Sequence, residues 1–207
     1  MKRSQKQKTL FMVQLSMLVA LVVVLQLVSA IIPPIGGMVS ITLTLVPVVV
    51  GAILFGVKGG SILGFTFGAI VLINCITALD PGGNILWSAN PFFTALICFV
   101  KGIAAGVIPA VLYGAVKGKG ENIGNGRKFG ASLVAALSAP IANTGLFVCG
   151  MLLFFTDTLR AWAGDKDIIT YILLGLAGIN FLVEFLINIV LTPAIARIAE
   201  VVKIKNK

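Results

Sequence analysis

Histidine is absent from this sequence, and charged residues are scarce. Of the 207 residues only 11% are charged and 58% are hydrophobic, and the mean hydropathy is +1.09. A soluble domain carries about 25% charged residues, so this composition is typical of a membrane protein. Without histidine the chain lacks the commonest metal ligand and the usual general base near neutral pH. We therefore expect no metal site and no cofactor.

Cysteines and acidic residues are also few. Cys75, Cys98 and Cys149 all lie in apolar runs without a CxxC pair, which predicts buried free thiols rather than a disulfide framework or a zinc site. Seven acidic residues stand against sixteen basic ones. Because the basic residues sit at the ends of apolar segments, membrane orientation explains them better than nucleic-acid binding. The chain also lacks a GxxxxGK(S/T) phosphate loop, which indicates that it does not itself hydrolyse ATP.

Long intervals without charge predict the membrane helices. A spanning helix needs about 20 apolar residues, and the charge-free interval between Lys8 and Lys58 is long enough for two, separated by the Pro- and Gly-rich residues 33–37. The predicted helices cover residues 10–32, 43–56, 59–76, 91–116, 129–155 and 168–199. We therefore predict an all-α integral membrane protein with a single six-helix domain over residues 1–207. The N-terminal apolar run is too long for a signal peptide and is interpreted as the first span.

The distribution of basic residues predicts the orientation. With the N-terminus inside, thirteen of the sixteen Lys and Arg fall on the inner side, and only Arg160 and Lys166 fall outside. This bias places both termini in the cytoplasm. The longer and more polar links at residues 80–91 and 156–167 then become outer loops, where a substrate is first met.

Small residues recur at four-residue spacing on two predicted helices, at Gly60, Gly64 and Gly68 and at Gly102, Gly106, Ala110 and Gly114. Such stripes let helix backbones approach closely in lipid. They predict packing inside the bundle or, alternatively, an interface with a separate membrane subunit. The first helix carries a weaker pair, Ser16 and Ala20.

Two charged residues, Lys101 and Glu184, lie inside predicted helices, where a charge costs roughly 2.5–3.5 kcal/mol on insertion scales. One interpretation is an ion pair between them. The other is that Lys101 faces an outward cavity and binds an anionic substrate. Since Glu184 is the only acid inside a predicted span and has no acidic partner on its helix face, we expect no enzyme.

Amides also lie within the predicted spans. Asn180 shares one face of the last helix with Glu184 at four-residue spacing. Asn143 and Thr144 interrupt the fifth helix, and Asn74 lies near the outer end of the third. Asn74, Asn143 and Asn180 are the amides best placed to line a pocket.

Residues 45–60, LVPVVVGAILFGVKGG, resemble the signature at helices 2 and 3 of the S components of energy-coupling factor (ECF) transporters, and Lys101-Gly102 resembles a basic–glycine step of that family. The resemblance implies a six-helix subunit that binds a micronutrient in an outward-facing pocket, in the cytoplasmic membrane of a prokaryote. It implies as partners a transmembrane coupling subunit and two ATPase subunits. Ser16 and Ala20 stand where the family often has an Ala-xxx-Ala docking pair, and the serine is a departure.

Residues 85–91 and 143–145 are most similar to pantothenate-type S components. A small, hydroxylated anion also suits one lysine, several asparagines and modest aromatic area. The predicted substrate-binding residues are Asn74, Asn84, Trp87, Asn90, Lys101, Asn143, Thr144 and Asn180. The alternatives are an S component for riboflavin or another vitamin, and a stand-alone carrier of small molecules.

Overall fold

A computed structural model describes residues 5–31, 42–118, 124–176 and 178–205, and these residues form helices without any β-strand. The helices, in chain order, are α1 (Gln5–Ile31), α2 (Leu45–Ile76), α3 (Pro81–Ala89), α4 (Pro91–Lys117), α5 (Asn125–Phe154), α6 (Thr156–Ala163), α7 (Ile168–Tyr171) and α8 (Gly178–Lys205), with a π-helical turn at Ile172–Leu176 between α7 and α8. The predicted breaker at residues 33–37 lies outside the described residues.

Four of the described helices, α1, α2, α4 and α5, are long and apolar enough to cross a membrane, and the bent pair at the C-terminal end provides a fifth span if it is counted as one. The hydrocarbon core of a membrane offers no hydrogen-bond partners to the backbone, and a helix pairs its backbone groups internally. The prediction of an all-α, multi-pass membrane protein is confirmed at this level.

Helix α2 folds back on itself at Gly56. This residue has φ +67° and ψ −157°. Glycine adopts this conformation without strain, but it interrupts an α-helix. A Cβ atom built at Gly60 would lie 3.3 Å from the Cβ of Ala52, although eight residues of continuous helix would separate them by about 12 Å. The two arms, residues 45–55 and 57–76, are therefore antiparallel, and exposed Lys58 lies at their tip. The break falls one residue before the minimal link 57–59 between two predicted helices.

The second arm of α2 packs directly against α4 through glycine. A Cβ atom at Gly60 would collide with the carbonyl oxygen of Gly106, and one at Gly64 with the carbonyl oxygen of Gly102. The two backbones touch because neither helix carries a side chain there. This confirms the interpretation of these glycines as internal packing. Gly114, at the end of the α4 stripe, has open space around it.

The two segments that were predicted as outer loops, 80–91 and 156–167, contain the short helices α3 and α6, which were not predicted. Asp80 and Asn90 cap α3 and α4, and each is followed by a proline at the first helical position. A capping side chain with proline at that position is a helix-start signal. The segment was predicted as a polar loop instead.

The C-terminal region and one cysteine also differ from the predictions. The helix predicted over 168–199 begins at Ile168 but is interrupted by the π-helical turn, and α8 continues to Lys205. Cys75 and Cys98 are buried as expected, whereas Cys149 is exposed on α5, because it lies on the side of that helix away from the neighbouring helices. The prediction that it is buried was wrong.

Candidate ligand-binding site

A cavity opens at the end of the bundle that carries the short helices α3 and α6. Together with the open space at its mouth, it has an empty volume of about 410 Å³. Helices α2 to α6 and the link before α3 contribute its wall, which consists of Val71, Cys75, Asp80, Gly82, Gly83, Leu86, Thr94, Ile97, Cys98, Lys101, Phe147 and Trp162. The wall combines apolar and aromatic surface with few polar groups, as a selective binding site requires.

Lys101 is the cation of this cavity. The side chain is largely buried, and its Nζ lies 5.0 Å from the centroid of the Phe147 ring on α5. A ring face stabilises an ammonium group in a partly desolvated place. Within the described residues no ion pair joins the Lys101 ammonium to the Glu184 carboxylate. The interpretation of the two as an ion pair is therefore wrong.

Asp80 brings a carboxyl group to the same wall. One of its oxygens accepts a hydrogen bond from the backbone N–H of Gly83 at 3.3 Å, which caps α3. Burial raises the pKa of the Asp80 carboxyl above its ordinary value, while the Gly83 hydrogen bond and the charge of Lys101 partly offset that effect. The carboxyl is thus more easily protonated than an exposed aspartate.

Three hydrogen bonds fix the residues just before the start of α2. The backbone N–H of Thr42 donates to Oε1 of Glu184 at 2.8 Å, and the hydroxyl of Thr44 donates to Oε1 of Gln26 at 2.7 Å. The backbone N–H of Leu43 donates to the Ser29 hydroxyl at 3.2 Å. The start of α2 is thereby tied to α1 on one side and to α8 on the other.

Several buried oxygen atoms lack a hydrogen-bond donor in the part of the chain that the structure describes. On α2, α5 and α8 they are Oδ1 of Asn74, Asn143 and Asn188 and Oε2 of Glu184. Buried acceptors are nearly always paired in native proteins. Oε1 of Gln14 on α1 is a further such atom, and of the set only Glu184 and Asn143 are related to Lys101.

Three of the predicted site residues have structural partners. The side-chain amide of Asn84 donates to the carbonyl oxygen of Cys75 at 2.9 Å, which ties α3 to the end of α2. Oδ1 of Asn90 accepts from the backbone N–H of Phe93 and caps α4. Trp87 packs against the apolar core rather than the cavity wall.

The other predicted residues are distributed differently. Lys101 lines the cavity. Asn74 and Asn143 are buried, and Thr144, the neighbour of Asn143, is half-buried. Asn180 lies on α8, and its side chain is outside the described part of the chain.

Sequence reasoning missed most of the wall. Trp162, rather than Trp87, reaches the cavity, and Asp80, Thr94 and Phe147 join it. The outer position of Trp162 was a signal, but one shared with Trp87. The sequence signal for Asp80 was Pro81, which follows it. An aspartate followed by a proline marks a helix start, and this helix start lies beside the cavity.

Comparison with known proteins places the chain among transport subunits. The family described as "ECF transporter, substrate-specific component" matches residues 10–196. The pantothenic acid transporter PanT of Lactococcus lactis subsp. cremoris (strain MG1363) is 28% identical over 200 residues, which cover 92% of this chain and 94% of that protein. No solved structure matches the chain significantly.

Proposed function

The chain belongs to the substrate-specific components of ECF transporters, and we propose that it captures pantothenate in a cavity open to the outer face of a prokaryotic cytoplasmic membrane. The family consists of transport subunits rather than enzymes. The similarity to a pantothenic acid transporter over most of both chains supports this choice of vitamin.

The observation that carries the proposal is the Lys101 ammonium in the cavity wall. Pantothenate has a carboxylate at one end and an amide in the middle. At the other end two hydroxyl groups flank a carbon that carries two methyl groups. Lys101 provides a cation for the carboxylate, and Val71, Leu86 and Ile97 provide apolar wall for the methylene groups next to that carboxylate. A charged hydrogen bond in such a site contributes roughly 1.5–3 kcal/mol.

We further propose a six-helix bundle with both termini in the cytoplasm. The two arms of α2 together with α1, α4, α5 and the bent C-terminal pair would supply the six helices. The excess of basic residues on the predicted inner side supports the orientation.

The proposed partners are a transmembrane coupling subunit and two ATPase subunits. Helix α1 offers the docking surface, because Ser16 and Ala20 are exposed on it between the large exposed side chains Met12, Met17 and Val24. Small residues among bulky ones leave a shallow groove that another helix can enter.

A second candidate ligand is riboflavin or another vitamin with a flat ring. The presence of Phe147 and Trp162 in the cavity wall favours it, since aromatic side chains stack on flat rings.

Native mass spectrometry of the detergent-purified chain, expressed in rich medium, tests the proposal by weighing any ligand that copurifies. We expect the mass of pantothenate, followed by saturable binding of pantothenate in calorimetric titration. The mass of a flavin would support the second candidate and overturn the first. A chain that binds no vitamin on titration would favour the stand-alone carrier.

Uptake by cells separates the carrier from the transport subunit in a second way. We expect uptake of labelled pantothenate through this chain to stop when the coupling subunit is deleted, because the chain has no ATP-binding loop. Continued uptake in that strain would support the carrier.

A further inference from the structure

A pair of unsatisfied acceptors lies beyond Lys101. Glu184 on α8 is 3% exposed and Asn143 on α5 is 5% exposed. One oxygen of Glu184 accepts from Thr42, but Oε2 of Glu184 and Oδ1 of Asn143 have no donor within the described residues. The Asn143 side chain lies within hydrogen-bonding reach of the Glu184 carboxylate, and the charge of Lys101 acts on the same carboxylate.

The pair is adjacent to the cavity, one helical turn beyond its wall. Asn143 precedes Phe147 by four residues on α5 and therefore lies on the same helix face, further from the end that carries α3 and α6. Phe147 and Lys101 both line the cavity, and the Lys101 ammonium lies over the Phe147 ring. Glu184 and Asn143 are not among the residues that line the cavity, so they lie beyond the wall to which Lys101 and Phe147 belong.

The unsatisfied oxygens of Glu184 and Asn143 are suited to accept hydrogen bonds from a ligand. Both orphan atoms are acceptors, and the remaining acceptor capacity of a carboxylate favours hydroxyl or amide protons. A buried acceptor left without a donor is costly, and more so when it is charged. The Lys101 ammonium could donate a hydrogen bond to these acceptors, but its Nζ lies over the Phe147 ring instead.

We infer that Glu184 and Asn143 form a hydroxyl-recognition subsite for the ligand whose carboxylate binds Lys101. This inference rests on the proposed function and extends it, because it assigns opposite ends of pantothenate to different residues. The hydroxyl groups donate to Oε2 of Glu184 and Oδ1 of Asn143, while the ammonium of Lys101 binds the carboxylate. The subsite makes the protein selective for hydroxylated acids over apolar acids of the same shape.

Calorimetric titration with two ligands tests the inference. The first ligand is pantothenate, and the second is N-(3,3-dimethylbutanoyl)-β-alanine, which has the same carboxylate and amide but neither hydroxyl. We expect the unmodified protein to bind pantothenate about 10- to 100-fold more tightly, the factor that hydrogen bonds to a charged acceptor produce. In Glu184→Gln this preference should fall to within about threefold, because an amide N–H₂ group replaces one acceptor while the remaining carbonyl can still accept from Thr42.

Two variants serve as controls. Lys101→Ala should weaken both ligands by similar factors, since both carry the carboxylate. Thr192→Ala, two turns further along α8, should leave the preference for pantothenate unchanged, because the Thr192 hydroxyl already donates to the carbonyl oxygen of Asn188 within its own helix. Glu184→Leu, checked for folding by thermal denaturation, repeats the main test without any polar group.

Equal losses for the two ligands in Glu184→Gln would overturn the inference and make Glu184 a structural residue. Binding of pantothenate that requires sodium ions in the unmodified protein, and loses that requirement in Glu184→Gln, would also overturn it and assign the acceptors to a cation. If the unmodified protein binds neither acid, the proposed function itself fails.

Discussion

At the scale of single residues, the cavity depends on a charge held inside an apolar bundle. Placing a lysine at the centre of a membrane helix costs roughly 2.5–3.5 kcal/mol on insertion scales. Lys101 recovers part of this from the ring of Phe147, a contact of about 0.5–2 kcal/mol. Because no described carboxylate forms an ion pair with it, we propose that the ammonium can attract an anionic ligand.

The change Lys101→Ala should separate charged from neutral ligands. We expect it to weaken binding of pantothenate by about 10- to 100-fold, the loss of a charged hydrogen bond. Binding of panthenol, in which an alcohol replaces the carboxylate, should change by less than about threefold. Calorimetric titration of both ligands measures this. Similar losses for the two, or a large fall in thermal stability, would assign Lys101 a structural role.

Asp80 makes binding of an anion depend on pH. Burial raises the pKa of its carboxyl, and when ionised it repels a carboxylate at Lys101. Protonation removes the repulsion, so affinity for pantothenate should rise as the pH falls from 7.5 toward the Asp80 pKa, by up to about tenfold for a one-unit rise in that pKa on binding. Titrations at several pH values measure this dependence.

Asp80→Asn is the matched control for the pH effect, since asparagine can still accept from Gly83 and cap α3. We expect this variant to bind pantothenate with the higher affinity at every pH. An unchanged pH dependence in Asp80→Asn would mean that another group titrates. Panthenol should show little pH dependence in either protein.

At the scale of secondary-structure elements, direct backbone contact between α2 and α4 positions Lys101. The next residue, Gly102, touches Gly64 of α2. The glycine contact therefore holds α4, which carries the ammonium, against α2, whose residue Cys75 lies in the cavity wall. In lipid, where no hydrophobic force drives helices together, close packing of this kind is the main source of association.

A methyl group in the glycine contact should destabilise the bundle. Gly106→Ala would drive a Cβ into the carbonyl oxygen of Gly60, and overpacking of this kind costs about 1–3 kcal/mol. We expect a lower midpoint of thermal denaturation in detergent. Gly114→Ala, two turns along the same helix, meets open space and should leave the midpoint unchanged or slightly raised, since alanine favours helix. Equal effects of the two changes would contradict the contact.

At the scale of the whole molecule, the cavity and the exposed apolar face of α1 lie in different places. The cavity lies at one end of the bundle, beside α3 and α6. Helix α1 is the least buried of the spans, and its apolar face is mostly open. Such a face is suited to lipid or to another membrane subunit. The ligand site and the proposed docking surface are therefore on different parts of the molecule and can be tested separately.

A bulky side chain on α1 should block coupling without affecting ligand binding. We expect Ala20→Trp to reduce pantothenate uptake at least about tenfold in cells that contain the coupling subunit and the ATPases, because it fills the groove beside Ser16. The purified variant should still bind pantothenate normally. Ala194→Trp, at an exposed position on α8, is the control and should leave uptake intact. Normal uptake with Ala20→Trp would place the docking surface elsewhere.

The sequence was sufficient for those properties that depend on composition and spacing. The apolar composition and charge-free intervals specified an all-α membrane protein, because a helix must be long and apolar to cross the bilayer. The four-residue glycine spacing indicated close helix contact, because that spacing places all the glycines on one face. Lys101 stood out as a candidate ligand because a charge in an apolar helix requires a specific partner.

The tertiary structure decided which groups meet. Periodicity gives the face of a helix but not the neighbour that it contacts, so it could not show that Gly60 meets Gly106 or that Lys101 rests on Phe147. Trp87 and Trp162 looked equivalent along the chain, yet the packing of α3 and α6 turned only Trp162 toward the cavity. The pairing of Glu184 with Thr42 joins residues 142 positions apart. Such contacts arise from how the helices approach in space, which local sequence spacing does not encode.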